Sequence, residues 1–102
     1  MHVEHWDPTR DGPLREAALR RKLEQRGYTV ARYVYPPGTC FPEHAHEVDK
    51  IDAVLCGRFR MRIRGEEAIL QAGDWLHVPR GVLHSADVVG NEAVVSLDAS
   101  RG

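Results

Sequence analysis

This sequence has almost no net charge: 14 lysines and arginines stand against 15 aspartates and glutamates, a formal balance of -1. Without a basic excess there is nothing to neutralise a phosphate backbone, so nucleic acid is not an expected partner. No apolar run approaches the roughly 20 residues that a helix needs to cross a bilayer, so no membrane partner is expected either. The opening residues, Met1-His2-Val3-Glu4-His5-Trp6-Asp7, lack the shape of a signal peptide. Cysteine is scarce, with only Cys40 and Cys56 among 102 residues. Two cysteines without a secretion signal imply reduced thiols and a cytoplasmic location, not a disulfide scaffold. Internal repeats, low-complexity runs and linkers are also missing, so residues 1–102 read as a single domain with one core.

The chain that remains divides at about residue 27. Residues 1–12 read as a short extended arm ending in the turn Asp11-Gly12, with His2 and His5 as solvated side chains near a terminus. Pro13 suits the first position of a helix and Gly27 its stop. The stretch Leu14 to Arg26 is rich in helix formers, so one N-terminal helix is expected over Pro13–Arg26. Leu19 and Leu23 share one side of it, while Leu14 and Ala18 share another. So thin a stripe suits a helix laid on the outside of a β-structure, away from any pocket.

From Tyr28 the period changes to two. Tyr28, Val30, Arg32 and Val34 alternate with Thr29, Ala31, Tyr33 and Tyr35 until Pro36-Pro37-Gly38 breaks the strand. Further strands are expected over Cys40–His46, Lys50–Cys56, Arg58–Arg64, Ala68–Leu70, Trp75–Val78, His84–Val89 and Ala93–Leu97. Short strands at this spacing, joined by glycine turns, predict an all-β sandwich or barrel over residues 28–98.

Two stretches carry the chemistry. In the first, Gly38 leads to the pair His44-Ala45-His46, and Gly57 follows. Residues two apart on a strand point to one face, so His44 and His46 project into the same space. In the second, Gly73, Pro79 and Gly81 punctuate a β pattern that ends at His84. Together the stretches resemble the two motifs of the cupin superfamily, G-x5-H-x-H-x3,4-E-x6-G and G-x5-P-x-G-x2-H-x3-N. Gly38, His44, His46 and Gly57 match the first; Gly73, Pro79, Gly81 and His84 match the second. The resemblance implies a jelly-roll β-barrel with one added N-terminal α-helix. It also implies a divalent metal (Zn, Fe, Mn or Ni) held by His44, His46 and His84. Two positions depart from the pattern: Lys50 stands where the family has its glutamate ligand, and Val88 where it has asparagine.

The lysine is the consequential departure. An ammonium facing a divalent cation must tilt away, pair with an anion or lose its proton. Asp52, two residues on, shares its strand face and is the expected anion. Asp49, one residue earlier, is a possible fourth ligand if a bulge or loop turns it inward. His77 is expected at the surface or behind a ligand. If His46 faces Lys50 across a turn, counting back makes Cys40 and Cys56 cross-strand neighbours.

Fold does not fix chemistry. One reading is a metal-dependent enzyme, of dioxygenase or isomerase type, on a small organic substrate, with Lys50, Asp52, Tyr33 or Tyr35 positioning groups or moving protons. Another is a non-catalytic small-molecule binding or stress-response module, possibly metal-free. A purely structural dimer module is the least favoured. Small cupins often pair, so a homodimer is expected, with the arm around Trp6 as the element exchanged.

Overall fold

A computed structural model describes residues 1–102. Nine strands form two antiparallel sheets. The five-stranded sheet has the order β1 (Val3–His5), β7 (Asp74–Val78), β4 (Asp49–Cys56), β9 (Val94–Arg101), β2 (Thr29–Tyr35). The four-stranded sheet has the order β3 (Cys40–His44), β8 (His84–Val88), β5 (Phe59–Ile63), β6 (Glu66–Leu70). No strand belongs to both, so the architecture is a two-sheet β-sandwich.

Two apolar clusters explain the stacking. Between the sheets, Val54, Leu76, Val78 and Val94 from the larger sheet meet Phe59, Met61, Ile63, Ala86 and Val88 from the smaller one. On the other side of the larger sheet, Ile51, Ala53, Trp75, Leu97 and Ala99 pack against Leu19 and Leu23 of α2 (Glu16–Gln25). Strand β4 sits in the middle of its sheet and carries buried side chains on both faces, Ile51 and Ala53 towards α2 and Val54 between the sheets. Asp49, Lys50 and Asp52 make it less apolar than a central strand covered on both sides usually is. Burying a leucine stabilises by about 1.5–3 kcal/mol, so Leu19 and Leu23 are the apolar anchors of α2, beside the bond from Arg20 to the Val30 carbonyl at 2.8 Å.

The N-terminal region differs from the single helix expected over Pro13–Arg26. A one-turn helix, α1 (Pro8–Asp11), precedes α2 and is capped by the Asp7 side chain, which accepts from the backbone amides of Thr9 at 3.0 Å and Arg10 at 3.4 Å. Asp-Pro is a helix-start signal in its own right, and here it outweighs Pro13. Arg15 occupies the N-cap of α2 and makes no side-chain capping bond. The arm is also no loose terminus. Strand β1 pairs with β7, placing Val3 opposite Leu76. Trp6 packs against the cluster beneath α2, and its indole nitrogen donates to the Gly12 carbonyl at 2.8 Å. Lys22 Nζ lies 5.4 Å from the Trp6 ring and 5.7 Å from that of Trp75 while pairing with Asp11 at 2.8 Å. The β-structure is wider than residues 28–98, taking in β1 at one end and running to Arg101 at the other.

The expected β3–β4 hairpin does not form. Strand β3 pairs with β8, and β4 with β7 and β9, so consecutive strands lie in different sheets. Cys40 faces Asp87 and Cys56 faces Val95, so the two thiols are not neighbours. Pro42 supplies a reason. It has no amide to give a ladder and is confined to an edge, which is where β3 lies. A strand with buried side chains on both faces, like β4, belongs in a covered centre.

Candidate metal centre

His44 and His84 are cross-strand partners at the end of the β3–β8 ladder, just past an irregularity between Phe41 and His44. His46 lies beyond the end of β3, where its carbonyl accepts from the Gly81 amide at 2.8 Å. That bond ties the two histidine-bearing stretches together. The ring centroids are 4.2 Å apart for His44 and His84, 4.8 Å for His44 and His46, and 5.2 Å for His46 and His84. One ring nitrogen from each residue falls within 4.8 Å of the others.

The backbone sets the tautomers. His44 Nδ1 lies 2.7 Å from the Pro42 carbonyl and His84 Nδ1 lies 2.9 Å from the Val82 carbonyl. A carbonyl can only accept, so each Nδ1 carries the hydrogen and each Nε2 keeps its lone pair. Burial, followed by the charge of Lys50 and the neighbouring imidazoles, lowers the His46 pKa. Burial lowers that of His84 as well, and the Val82 bond only partly opposes it. Two rings whose backbone bonds turn Nε2 outward as the donor atom, beside a third imidazole within reach of both, are a donor set that a divalent transition metal takes, so these residues fit such an ion.

The histidines form one wall of a cavity of about 170 Å³ between the sheets. Asp52 of β4 and Asp98 of β9 line the opposite side, and Tyr35, Phe41, Phe59 and Met61 supply its aromatic and apolar part. Tyr35 stacks on Phe59 at 5.5 Å and meets Phe41 edge-on at 4.9 Å. Burial, with Asp98 and Asp52 nearby, raises its phenol pKa, so its hydroxyl keeps its hydrogen. Tyr33 is 48% exposed and does not line the cavity.

The ion pair expected between Lys50 and Asp52 is replaced by one between Lys50 and Asp98. Lys50 faces Ser100 across the ladder, which makes Asp98 its diagonal neighbour, within reach of a long side chain. The contact is not directed as a hydrogen bond, and Asp98 Oδ1 has no hydrogen-bond donor. Asp52 is the direct register partner of Asp98. Burial, and then the Asp98 charge, outweigh the more distant Lys50 and push the Asp52 carboxyl up to about 7.

Asp49 is not brought to the histidines. Its Oδ1 accepts from the Arg80 amide at 3.0 Å and lies 3.8 Å from His77 Nε2, and Arg101 stands 4.0 Å from its other oxygen. The Arg80 bond is also the main reason its pKa is lowered. No bulge turns it inward; strand alternation keeps it on the face opposite to Lys50 and Asp52. His77 sits with it there, half exposed. Asp98 is the residue that sequence reasoning missed. Ending the last strand at Leu97 excluded it, although Val94, Ser96, Asp98 and Ser100 continue one alternation.

A two-sheet sandwich with a histidine cluster in its cavity is a recognisable class. The cupin domain family profile matches residues 31–100, and the chain belongs to that family. No curated protein matches it. Among solved structures, a cupin-like protein from Thermotoga maritima is 28% identical, with a TM-score of 0.65, over 72% of this chain and 56% of that one. KdgF from a Halomonas species is 26% identical, with a TM-score of 0.63, over 72% of this chain and 68% of that one. An RmlC-like cupin from Shewanella frigidimarina is 25% identical, with a TM-score of 0.65, over 72% of this chain and 64% of that one. The matched region thus spans about three fifths of the length of these structures.

Proposed function

We propose that this chain is a metal-binding cupin in which His44, His46 and His84 hold one divalent transition metal and a small organic molecule occupies the cavity beside it. The observation that carries this reading is the pair of carbonyl bonds at His44 Nδ1 and His84 Nδ1, which leave both Nε2 lone pairs aimed into one space. A bound divalent ion would supply Lewis acidity and open positions for an oxygen ligand. Around it, Phe41, Phe59 and Met61 exclude water and Tyr35 offers a hydroxyl hydrogen. Lys50 pairs with Asp98, and Asp52 is the group able to carry a proton near neutral pH. In this reading Lys50 and Asp52 serve turnover, one as a positioning residue and the other as the proton carrier.

Binding without turnover is the second reading. It is favoured by the donor set, because Lys50 occupies the place of a carboxylate ligand and Asp49 is engaged elsewhere. Assembly follows from an open sheet edge. Strand β2 ends its sheet with Tyr33 48% and Val34 51% exposed, and we propose that a second copy covers it in a homodimer. A monomer by sedimentation at micromolar concentration would exclude that assembly.

The metal is tested by elemental analysis of protein purified without added metal, beside His44→Ala and His84→Ala. About one equivalent in the parent and loss in both variants is expected. A folded parent that neither carries nor takes up a divalent ion would overturn the proposal. A survey of small substrates on the loaded protein then separates turnover from binding.

A further inference from the structure

Asp52 and Asp98 face each other in register on β4 and β9, and both look into the cavity. Cross-strand partners bring their Cβ atoms to about 4.5–5.5 Å. Two carboxylates at that separation repel strongly in a half-enclosed space, and only one cation, Lys50, is beside them. That ammonium sits against Asp98. The remaining groups facing the pair bring no second positive charge. Strand β7 places Leu76 opposite Asp52, β2 contributes the Tyr35 phenol with Tyr33 behind it, and β5 contributes Phe59 and Met61. From β3 and β8 come the three imidazoles, neutral when they act as ligands. Two acids and one ammonium leave one proton to be kept, and Asp52, without the ammonium, is where it stays.

Charge also selects the ligand. Three neutral imidazoles around a divalent ion leave its charge uncompensated, and no protein carboxylate reaches it. The ligand that fits is an anion bound through oxygen, and a cavity of about 170 Å³ keeps it small. We propose that Asp52 and Asp98 act as one proton-sharing carboxyl pair, and that Asp52 presents its acid hydrogen to a small carboxylate or similar oxygen anion seated against the three histidines. This rests on the metal-binding reading above. The burial that pushes Asp52 up to about 7 is consistent with it.

The pair is tested first in the metal-free protein, by carbon NMR titration of carboxyl-labelled aspartate. The expected Asp52 midpoint lies near neutrality, lower in Asp98→Asn, where a like charge is lost and Lys50 is freed, and higher in Lys50→Met, where the cation is lost. An Asp52 that titrates at about 4 with the ordinary carboxyls, or that neither variant moves, would overturn the pair. The ligand is tested on cobalt(II)-loaded protein with acetate as the probe. Acetate affinity should fall about tenfold per pH unit above the Asp52 midpoint. Asp52→Asn, whose amide still donates, should bind acetate with that dependence removed. If the variant keeps the parent's slope, the loss comes from hydroxide competing at the metal, and the proposed role of Asp52 fails. Absence of cobalt uptake, visible in the absorption spectrum, overturns the metal reading and the ligand together. The carboxyl titration in metal-free protein decides the pair separately.

Discussion

Asp52 lies directly opposite Asp98 on the adjacent strand, yet the ammonium of Lys50 reaches past Asp52 to pair with Asp98. The unpaired acid therefore bears the cost of burial. Its folded pKa, about 7, is above the ordinary carboxyl value of 3.8. A group whose folded value is raised binds more protons when folded, so stability is highest below the unfolded value and falls as pH rises towards the folded one. Asp52→Asn should remove that loss. The gain over the parent, from metal-free denaturation curves, should grow by roughly 2–3 kcal/mol between pH 5 and pH 8. His46 and His84 have the opposite slope, since their lowered values favour the folded state as pH rises. Comparing variant with parent at each pH cancels them. A constant difference across that range would mean that Asp52 is ionised throughout.

The helix is remote from the chemistry. Leu19 and Leu23 are fully buried against the outer face of the larger sheet, and no residue of α2 lines the cavity. Leu23→Ala should cost about 2–5 kcal/mol. Metal affinity, measured at a temperature where the variant is folded, should be unchanged within a factor of about two. Deleting residues 1–27 is a harsher change, because it also removes β1 and uncovers Trp75 and Leu97. A Leu23→Ala protein that is folded but has lost its metal would tie the helix to the site.

His44 and His46 were legible as a pair because residues two apart on one strand share a face. It was the resemblance to the two cupin motifs, not local spacing, that joined His84 to them across the β3–β8 pairing. Helix position and most strands were legible from local spacing. What could not be read was anything decided by sheet membership. Assigning β3 and β4 to one hairpin put Cys40 beside Cys56, while same-strand alternation, with no cross-strand neighbour in view, left Asp52 as the anion for Lys50. With the sheets known, Lys50 has Asp98 as a diagonal partner 48 residues away in the chain, in a strand whose end had been drawn four residues short, at Leu97 instead of Arg101. Pro42 was the available clue that β3 is an edge, and Asp7-Pro8 the clue to the short extra helix. Asp49 failed as a ligand through parity alone, since a regular strand sends it to the opposite face.

Glycine spacing in the motif has a local physical test. Gly57 has φ 82°, and a Cβ there would come 2.5 Å from the Ala93 carbonyl oxygen and 2.9 Å from Val94 Cα. Both are backbone atoms and cannot swing aside. Gly38 has a similar φ of 87° but open space around it. Gly38→Ala should therefore cost only the conformational term, about 1–2 kcal/mol. Gly57→Ala adds displacement of the β9 backbone and should cost about 3 kcal/mol or more. Urea denaturation of both measures the difference. Equal losses would mean that the β4–β5 turn shifts freely and that β9 does not constrain it.

Lys50 stands at the position of the family's carboxylate ligand, with its ammonium turned to Asp98. Lys50→Glu changes two balances together. In the metal-free protein it removes the only cation beside Asp52 and Asp98 and adds a third acid, so stability should fall by about 1–3 kcal/mol. At acid pH the loss should shrink, because protonating the acids relieves their repulsion. In the metal-bound protein the new carboxylate offers a fourth, anionic donor and takes away a cation that opposes the ion, so affinity should rise by about tenfold or more. Lys50→Met separates the effects, removing the cation without adding a ligand. It should share much of the metal-free destabilisation and gain less affinity than the glutamate. A metal titration beside metal-free denaturation curves for the three proteins checks both halves. If Lys50→Glu and Lys50→Met raise affinity equally, the carboxylate does not reach the metal, and position 50 affects the site through charge alone. If neither changes affinity or stability, the ammonium is as well served by solvent as by Asp98, and the pair has no part in holding the cavity wall.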